Sequence, residues 1–350
     1  MAKKVRESNF ELLRIIATLA IVIYHNNGGY IRSIGGLDDW YIGGTGMAVL
    51  RTSIQSFTHV AVDVFVLISG YFSIRPKSRS VLNLATMLFF FYIVSVVCNK
   101  IYSNTPLISS PAQAIKEILP FSRENWFIQA YLFLMLLAPM INTFIENISQ
   151  LTFRNYLLLF IACAFYFGCV HNSKFFYFNQ GLSVTTLVLV YMVGRYMRLY
   201  GMKKLQTVQT YKVVLAWISC VVFMTLVELF LPNRTIFICN CSPIKILCAT
   251  CILVLFSRFK FQSKFTNWIS ASCLGVFLFH VLPPFTEILS QYGVKLLMSN
   301  NPYLYLCGII GICIICFIIG IMLDKLRTGL FHPVMWLHDR YFTKYSIQEK

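Results

Sequence analysis

The chain has 350 residues, 57% of them hydrophobic and 12% charged, with a mean hydropathy of +0.68; these values exclude an ordinary soluble globular protein. The formal charge of +17 would suit nucleic acid or an acidic partner, but in a membrane protein an excess of Lys and Arg is first a matter of topology, and no nucleic-acid role is expected. No polar block is long enough to fold by itself, which leaves a single membrane domain over residues 1–350.

Stretches of about twenty apolar residues, enough to cross a bilayer as a helix, recur at roughly 10–28, 52–74, 81–103, 126–146, 153–171, 181–200, 211–231, 243–258, 268–290 and 303–323. The expected fold is an all-α integral membrane protein of about ten transmembrane helices. The first run is too long for a cleavable signal peptide and is interrupted by Arg14, so it reads as a retained anchor. Ser8-Asn9-Phe10-Glu11 reads as a capping box that opens this helix and accounts for Glu11. Residues 26–46, NNGGYIRSIGGLDDWYIGGTG, read as a glycine-rich outer loop with two acids, suited to cover a site. No inverted repeat of broken helices is evident, which weakens the case for a secondary transporter. The tail, 324–350, is too short for a soluble domain, so any chemistry falls to the membrane domain.

With the N-terminus inside, the segments on the inner side hold twenty Lys and Arg and those on the outer side nine, with Arg14 in the membrane. That bias predicts both termini in the cytoplasm. It also absorbs nearly all of the net charge.

Of the twelve cysteines, Cys98, Cys163, Cys220, Cys273 and Cys307 stand singly in apolar runs, where a thiol is a small hydrophobe. Cys248/Cys251 and Cys313/Cys316 have CxxC spacing without a histidine or acid beside them, so no metal site is expected. Cys239 and Cys241 fall in a loop and receive no role.

The chemistry-bearing stretch is LLRIIATLAIVIYH, residues 12–25. Eleven residues advance a helix by three turns and about 20°, so Arg14 and His25 share a face, roughly 16 Å apart along the axis, with Thr18 between them. Intramembrane ionisable residues usually face a cavity or a partner. Snorkelling to the near interface would also explain Arg14, and capping or interfacial water His25. Histidine suits general-base work near neutral pH, and arginine supplies a permanent donor for an anionic or carbonyl group. The pair would fit a long substrate that enters from the cytoplasm and ends at the histidine.

RESNFELLRIIATLAIVIYH (6–25) resembles the start of the membrane acyltransferase-3 family, and VDVFVLISGYF (62–72), WFIQAYLFLMLLAP (126–139) and LGVFLFH (274–280) look like its second-helix, fourth-helix and late-helix signatures. The resemblance covers the whole chain with four ordered motifs. It implies a ten-helix bundle in a bacterial cytoplasmic membrane. Members move an acyl group, usually acetyl from cytoplasmic acetyl-CoA, to a hydroxyl on an extracytoplasmic or lipid-linked glycan, peptidoglycan or a small molecule. Stand-alone members of this size commonly modify O-antigen, capsule or exopolysaccharide.

By the same resemblance His25 would be the catalytic histidine and Arg14 its companion in the donor channel. Where the family often has R-x-x-R, this chain has SIRPKSRS; Arg75, Lys77 and Arg79 could each grip the phosphates of CoA. Asp63 would pair with Arg14 or orient His25, being costly in a span unless partnered. His59 and Glu228 read as interfacial, His280 as a packing residue and Trp126 as an interfacial anchor. Rival readings are a flippase or exporter of a lipid-linked sugar, the same fold carrying another acyl group such as succinyl, and a non-catalytic partner of glycan synthesis.

Overall fold

A computed structural model describes residues 7–33, 36, 41–103, 126–171, 178–231 and 235–348. It is 86% helical, without strands among the described residues. Lys3, Lys4 and Arg6, counted for topology, and the loop acids Asp38 and Asp39 lie outside the described residues.

Helix α1, Ser8–Tyr24, buries Phe10, Leu13, Ala17 and Ile21, the i, i+3, i+4 stripe of an amphipathic helix. The expected capping box is not formed. Glu7 stands at the N-cap without a side-chain bond, while Ser8 Oγ donates to Asn267 Oδ1 (3.0 Å) and accepts from the Ser263 N–H (2.9 Å). Glu11 instead accepts from Arg14 and from Ser270. Tertiary partners thus replace the local cap. Beyond Tyr24 the chain does not enter a loop: a π-helical turn, His25–Gly29, leads into α2, Tyr30–Ser33, making one candidate span from Ser8 to Arg32.

The second span, Gly44–Phe72, is broken at His59–Val60 into α3, Gly44–Thr58, and α4, Ala61–Phe72. Next come α5, Ser78–Ser103, α6, Trp126–Glu146, and α7, Gln150–Ala164, which ends in a π-helical turn, Phe165–Val170. Helix α8, Val184–Tyr196, lies where a span is expected at 181–200, but Arg195 and Arg198 make its sequence less apolar. Leu189, Val190 and Tyr191 are fully enclosed. It packs against α4 through two glycines: a Cβ on Gly70 would lie 2.2 Å from the Tyr191 carbonyl oxygen, and one on Gly194 2.4 Å from that of Leu67. Reciprocal glycines let two membrane helices approach backbone to backbone.

The remainder runs through α9, Met202–Thr207, α10, Thr210–Phe230, α11, Thr235–Ile238, and α12, Pro243–Ser257. After it come α13, Lys264–Ser270, α14, Cys273–His280, α15, Pro283–Met298, α16, Pro302–Leu330, and α17, His332–Gln348. Eight helices among the described residues are long and apolar enough to cross a membrane, and α13–α14 with α15 add a pair bent by 81°. Lipid-facing chemistry is visible on their outer faces, as at Leu136 and Met140, each 70% exposed, which is the reverse of a soluble protein's surface.

Candidate active site

His25 is the first residue of the π-helical turn that follows α1. A π-helical turn carries one residue more than the α-helical ladder holds, a form common at functional sites. Here side chains fix it. Asn26 Nδ2 donates to the Val22 carbonyl, Asn27 Nδ2 to the Arg51 carbonyl (2.8 Å) and to Gln55 Oε1 (3.0 Å), and Tyr305 Oη donates to Asn27 Oδ1 (3.1 Å). Arg51, which topology would place in an outer segment, is buried here.

The imidazole of His25 lies among rings. His280 is 5.1 Å away between centroids, Tyr30 5.5 Å and Tyr24 5.6 Å. Tyr30 Oη donates to the His280 carbonyl at 2.9 Å, which ties α2 to the end of α14. His280 is fully buried and packs as the sequence implies, but it packs on His25. Among the described residues nothing hydrogen-bonds to the ring nitrogens of His25, so they remain available to a ligand.

A cavity of about 80 Å³ opens beside His25, with Thr58, His59, Trp126 and Asn240 on its walls. Trp126, expected as an interfacial anchor, thus faces the site. A larger cavity of about 280 Å³ adjoins it; Tyr24, His59, Leu182 and Asn240 line both, and Arg32, Gln55, Gln180 and Glu228 line the larger one. His59 stacks on Tyr24 with centroids 4.8 Å apart. Toward Arg14 the space narrows to a gap of about 10 Å³ bounded by Thr18, Ile21, Phe65, Phe127 and Phe277, about one water's worth. Phe127 and Phe277, 4.9 Å apart, close it.

Arg14 points to the far end of the same stripe. Its Nη1 donates to Glu11 Oε1 at 2.5 Å, and its guanidinium lies 5.8 Å from the Phe72 ring centre. The pairing of Arg14 with Asp63 is therefore not made; Glu11, one helical turn away, takes that place. The rest of the Arg14 fork has no partner among the described residues. Near it Arg198 donates to Tyr71 Oη (2.9 Å) and covers that ring at 4.8 Å, and Tyr71 stacks on Phe10 (5.0 Å).

The three basic residues of SIRPKSRS part company. Arg75 shares Glu146 with the buried Arg195, at 3.6 and 3.9 Å. Arg79 pairs with Asp339 of α17 at 3.2 Å, and Lys77 is exposed just before α5 without a partner for its ammonium among the described residues. Sequence reasoning missed Arg195 and Arg198 as neighbours of this end, having counted them only as cytoplasmic charge. A buried arginine within an apolar helix, with Arg198 three residues on in the π-helical turn Met197–Gly201, was the available signal.

Asp63 is 1% exposed and Lys245 fully buried, with Asp63 Oδ2 3.8 Å from Lys245 Nζ. Lys245 also donates to Asn240 Oδ1. Asp63 thus reaches the cavities through Lys245 and Asn240. Neither of these was singled out in the sequence, although a lysine inside an apolar run marks an expensive charge that demands a partner. The unassigned Cys239 forms a disulfide with Cys169, and the buried Cys241 Sγ lies 3.5 Å from both of their sulfurs.

The site therefore joins a stacked histidine pocket to an arginine end across a closed aromatic gap. The model of the acyltransferase domain known as acyltransferase-3 matches residues 7–321. No curated protein and no solved structure matches the chain.

Proposed function

From the premise that the chain belongs to the acyltransferase-3 family and is a membrane acyltransferase, we propose that it is an O-acetyltransferase. It takes acetyl from cytoplasmic acetyl-CoA and delivers it to a hydroxyl of a cell-surface glycan or its lipid-linked precursor, with both termini in the cytoplasm of a bacterial cell. The observation that carries this reading is His25: its ring nitrogens are unbonded among the described residues, and it lies beside a cavity on the helical face it shares with Arg14.

The thioester of acetyl-CoA is a substrate here, and the Arg14 end fits its polyanionic half. Arg14 retains unengaged donors, Arg198 stands in the π-helical turn Met197–Gly201 and Arg75 in the segment between α4 and α5, and guanidinium forks match phosphate oxygens bidentately. The partly buried Phe72 ring, with the Arg14 guanidinium 5.8 Å from its centre, is the aromatic surface at this end for an adenine. A pantetheine arm directed along Thr18 and Ile21 would part Phe127 from Phe277 and bring the thioester to His25. The acceptor hydroxyl then gives its proton to a ring nitrogen of His25 as its oxygen attacks the thioester carbonyl. The C–S bond breaks, and the imidazolium returns the proton to the CoA thiolate. Transfer through an acetyl-histidine would use the same nitrogen as nucleophile.

The test is incubation of purified protein with radiolabelled acetyl-CoA, following CoA release and label on the protein. Histidine-dependent release supports the reading, and retained label identifies the covalent route. If His25→Ala releases CoA as fast as the unaltered protein, the proposal fails.

A further inference from the structure

The Asp63–Lys245 pair is expensive. Two charges taken out of water cost several kcal/mol each, and their attraction repays this only in good geometry with further hydrogen bonds. Its visible product is the orientation of one carboxamide. An ammonium has donors only, so the oxygen of Asn240 must face Lys245, and the NH2 group is what Asn240 has left to offer. That residue lines both cavities beside His25.

The backbone of Asn240 is held as firmly as its side chain. Its N–H donates to the Gln180 carbonyl at 3.0 Å. Cys239 before it is tied to Cys169, and Cys241 after it is fully buried. Gly181, with φ of +88°, presses so close that a Cβ there would lie 2.4 Å from Asn240 Cβ. A donor fixed this thoroughly is preorganised for a ligand rather than adaptable to many.

The walls around it have a consistent chemistry. The stacked Tyr24 and His59 rings give a flat face, while Gln55, Gln180 and Glu228 bring acceptor oxygens and Arg32 further donors. A ring face beside several amides and one carboxylate complements a molecule with one apolar face and a rim of hydroxyls. The larger cavity, about 280 Å³, is at the small end of ligand pockets, which run from about 300 to 1,000 Å³. It has room for a terminal sugar rather than a length of polymer.

We propose that the two cavities beside His25 form the acceptor site for a single sugar ring, and that Asn240, oriented by the Asp63–Lys245 pair, is its specificity-determining residue, donating from its NH2 to a ring hydroxyl. This rests on the acetyl-transfer reading for the purpose of the site, but the binding itself can be measured without a donor.

The experiment uses the full chain in lipid nanodiscs, free of glycoside detergents, and measures saturation-transfer NMR of the methyl pyranosides of glucose, galactose, mannose and rhamnose. At least one is expected to bind saturably. Asn240→Asp keeps the size and gives Lys245 a second carboxylate, but removes the NH2 donor; it should weaken that binding at least ten-fold while acetyl-CoA binding stays within two-fold. Should Asn240→Asp fail to fold, Asn240→Ala replaces it with the same expectation. The proposal is overturned if none of the four glycosides binds, or if the variant binds as the unaltered protein does. Glycoside binding that depends on Asn240, without any His25-dependent transfer of acetyl, would leave the site standing and remove the transfer reading instead.

Discussion

The two ends of the α1 stripe are built on opposite principles. Around Arg14 the charges are plural and loosely committed: Glu11 engages one edge of the guanidinium, Arg75 is largely exposed, and Arg198 rests on an aromatic ring. Around His25 amides and rings are locked in place, the Asp63–Lys245 pair is sealed behind Asn240, and Arg32 and Glu228 line only the larger cavity. The first arrangement suits a ligand recognised by its charge, where several contacts share the work. The second suits one recognised by shape and hydrogen-bond pattern, where a single misplaced donor is costly. The proposed function, with an anionic donor and a sugar acceptor, would call for such a contrast.

The contrast breaks most readily at His25. His25→Ala should lower acetyl transfer by about 10²–10⁴-fold, the range of a lost general base, with acetyl-CoA affinity nearly unchanged; a fall in affinity equal to the fall in rate would mean that the two ends are not separate. Next in size is the sealed charge. Asp63→Asn leaves Lys245 uncompensated and should cost about 3–5 kcal/mol of stability, read as a lower unfolding temperature, whereas replacing both residues by Leu and Met should recover most of it. An unchanged melting point for the single variant would show the pair to be wetter than its burial implies.

At the other end the effects should be smaller, because the load is shared. Arg14→Lys keeps the charge and loses the fork, so KM for acetyl-CoA should rise about ten-fold, some 1.4 kcal/mol, with kcat little altered; equal KM values would reduce Arg14 to a snorkelling residue. Arg79→Ala should do least. Its partner Asp339 is half-exposed, such pairs contribute about 0–1 kcal/mol, and KM for acetyl-CoA should stay within about two-fold. A large effect there would move the donor site toward α17.

What the sequence revealed follows the same division. Regular features were legible: the long apolar runs and the shared face of Arg14 and His25 depend only on helical periodicity. Contacts between distant segments were not. Glu11 looks like a cap partner because Ser8 is three residues away, yet Ser8 bonds to Asn267 and Glu11 to Arg14 and Ser270, an outcome set by how α13 packs on α1. Residues 26–33 look like loop because two asparagines and two glycines disfavour a helix, but those asparagine amides bond to Val22, Arg51 and Gln55 and hold the helix open as a π turn. Lys245 was counted as outer-segment charge, and only tertiary structure reveals Asp63 beside it. Cys169 and Cys239, 70 residues apart, carried no signal of their pairing.

The π-helical turn at His25–Gly29 has a consequence in genetic terms. One surplus residue separates this segment from an ordinary α-helix, so loss of a single codon within 26–29 would let the ladder close. The wide turn absorbs that residue locally, so Arg14 and His25 upstream and Tyr30 downstream, with its bond to the His280 carbonyl, would keep their faces. What would change is the placement of the asparagine amides that now reach Arg51 and Gln55. A lineage could in this way keep the shared face of Arg14 and His25 and still alter the wall beside the histidine.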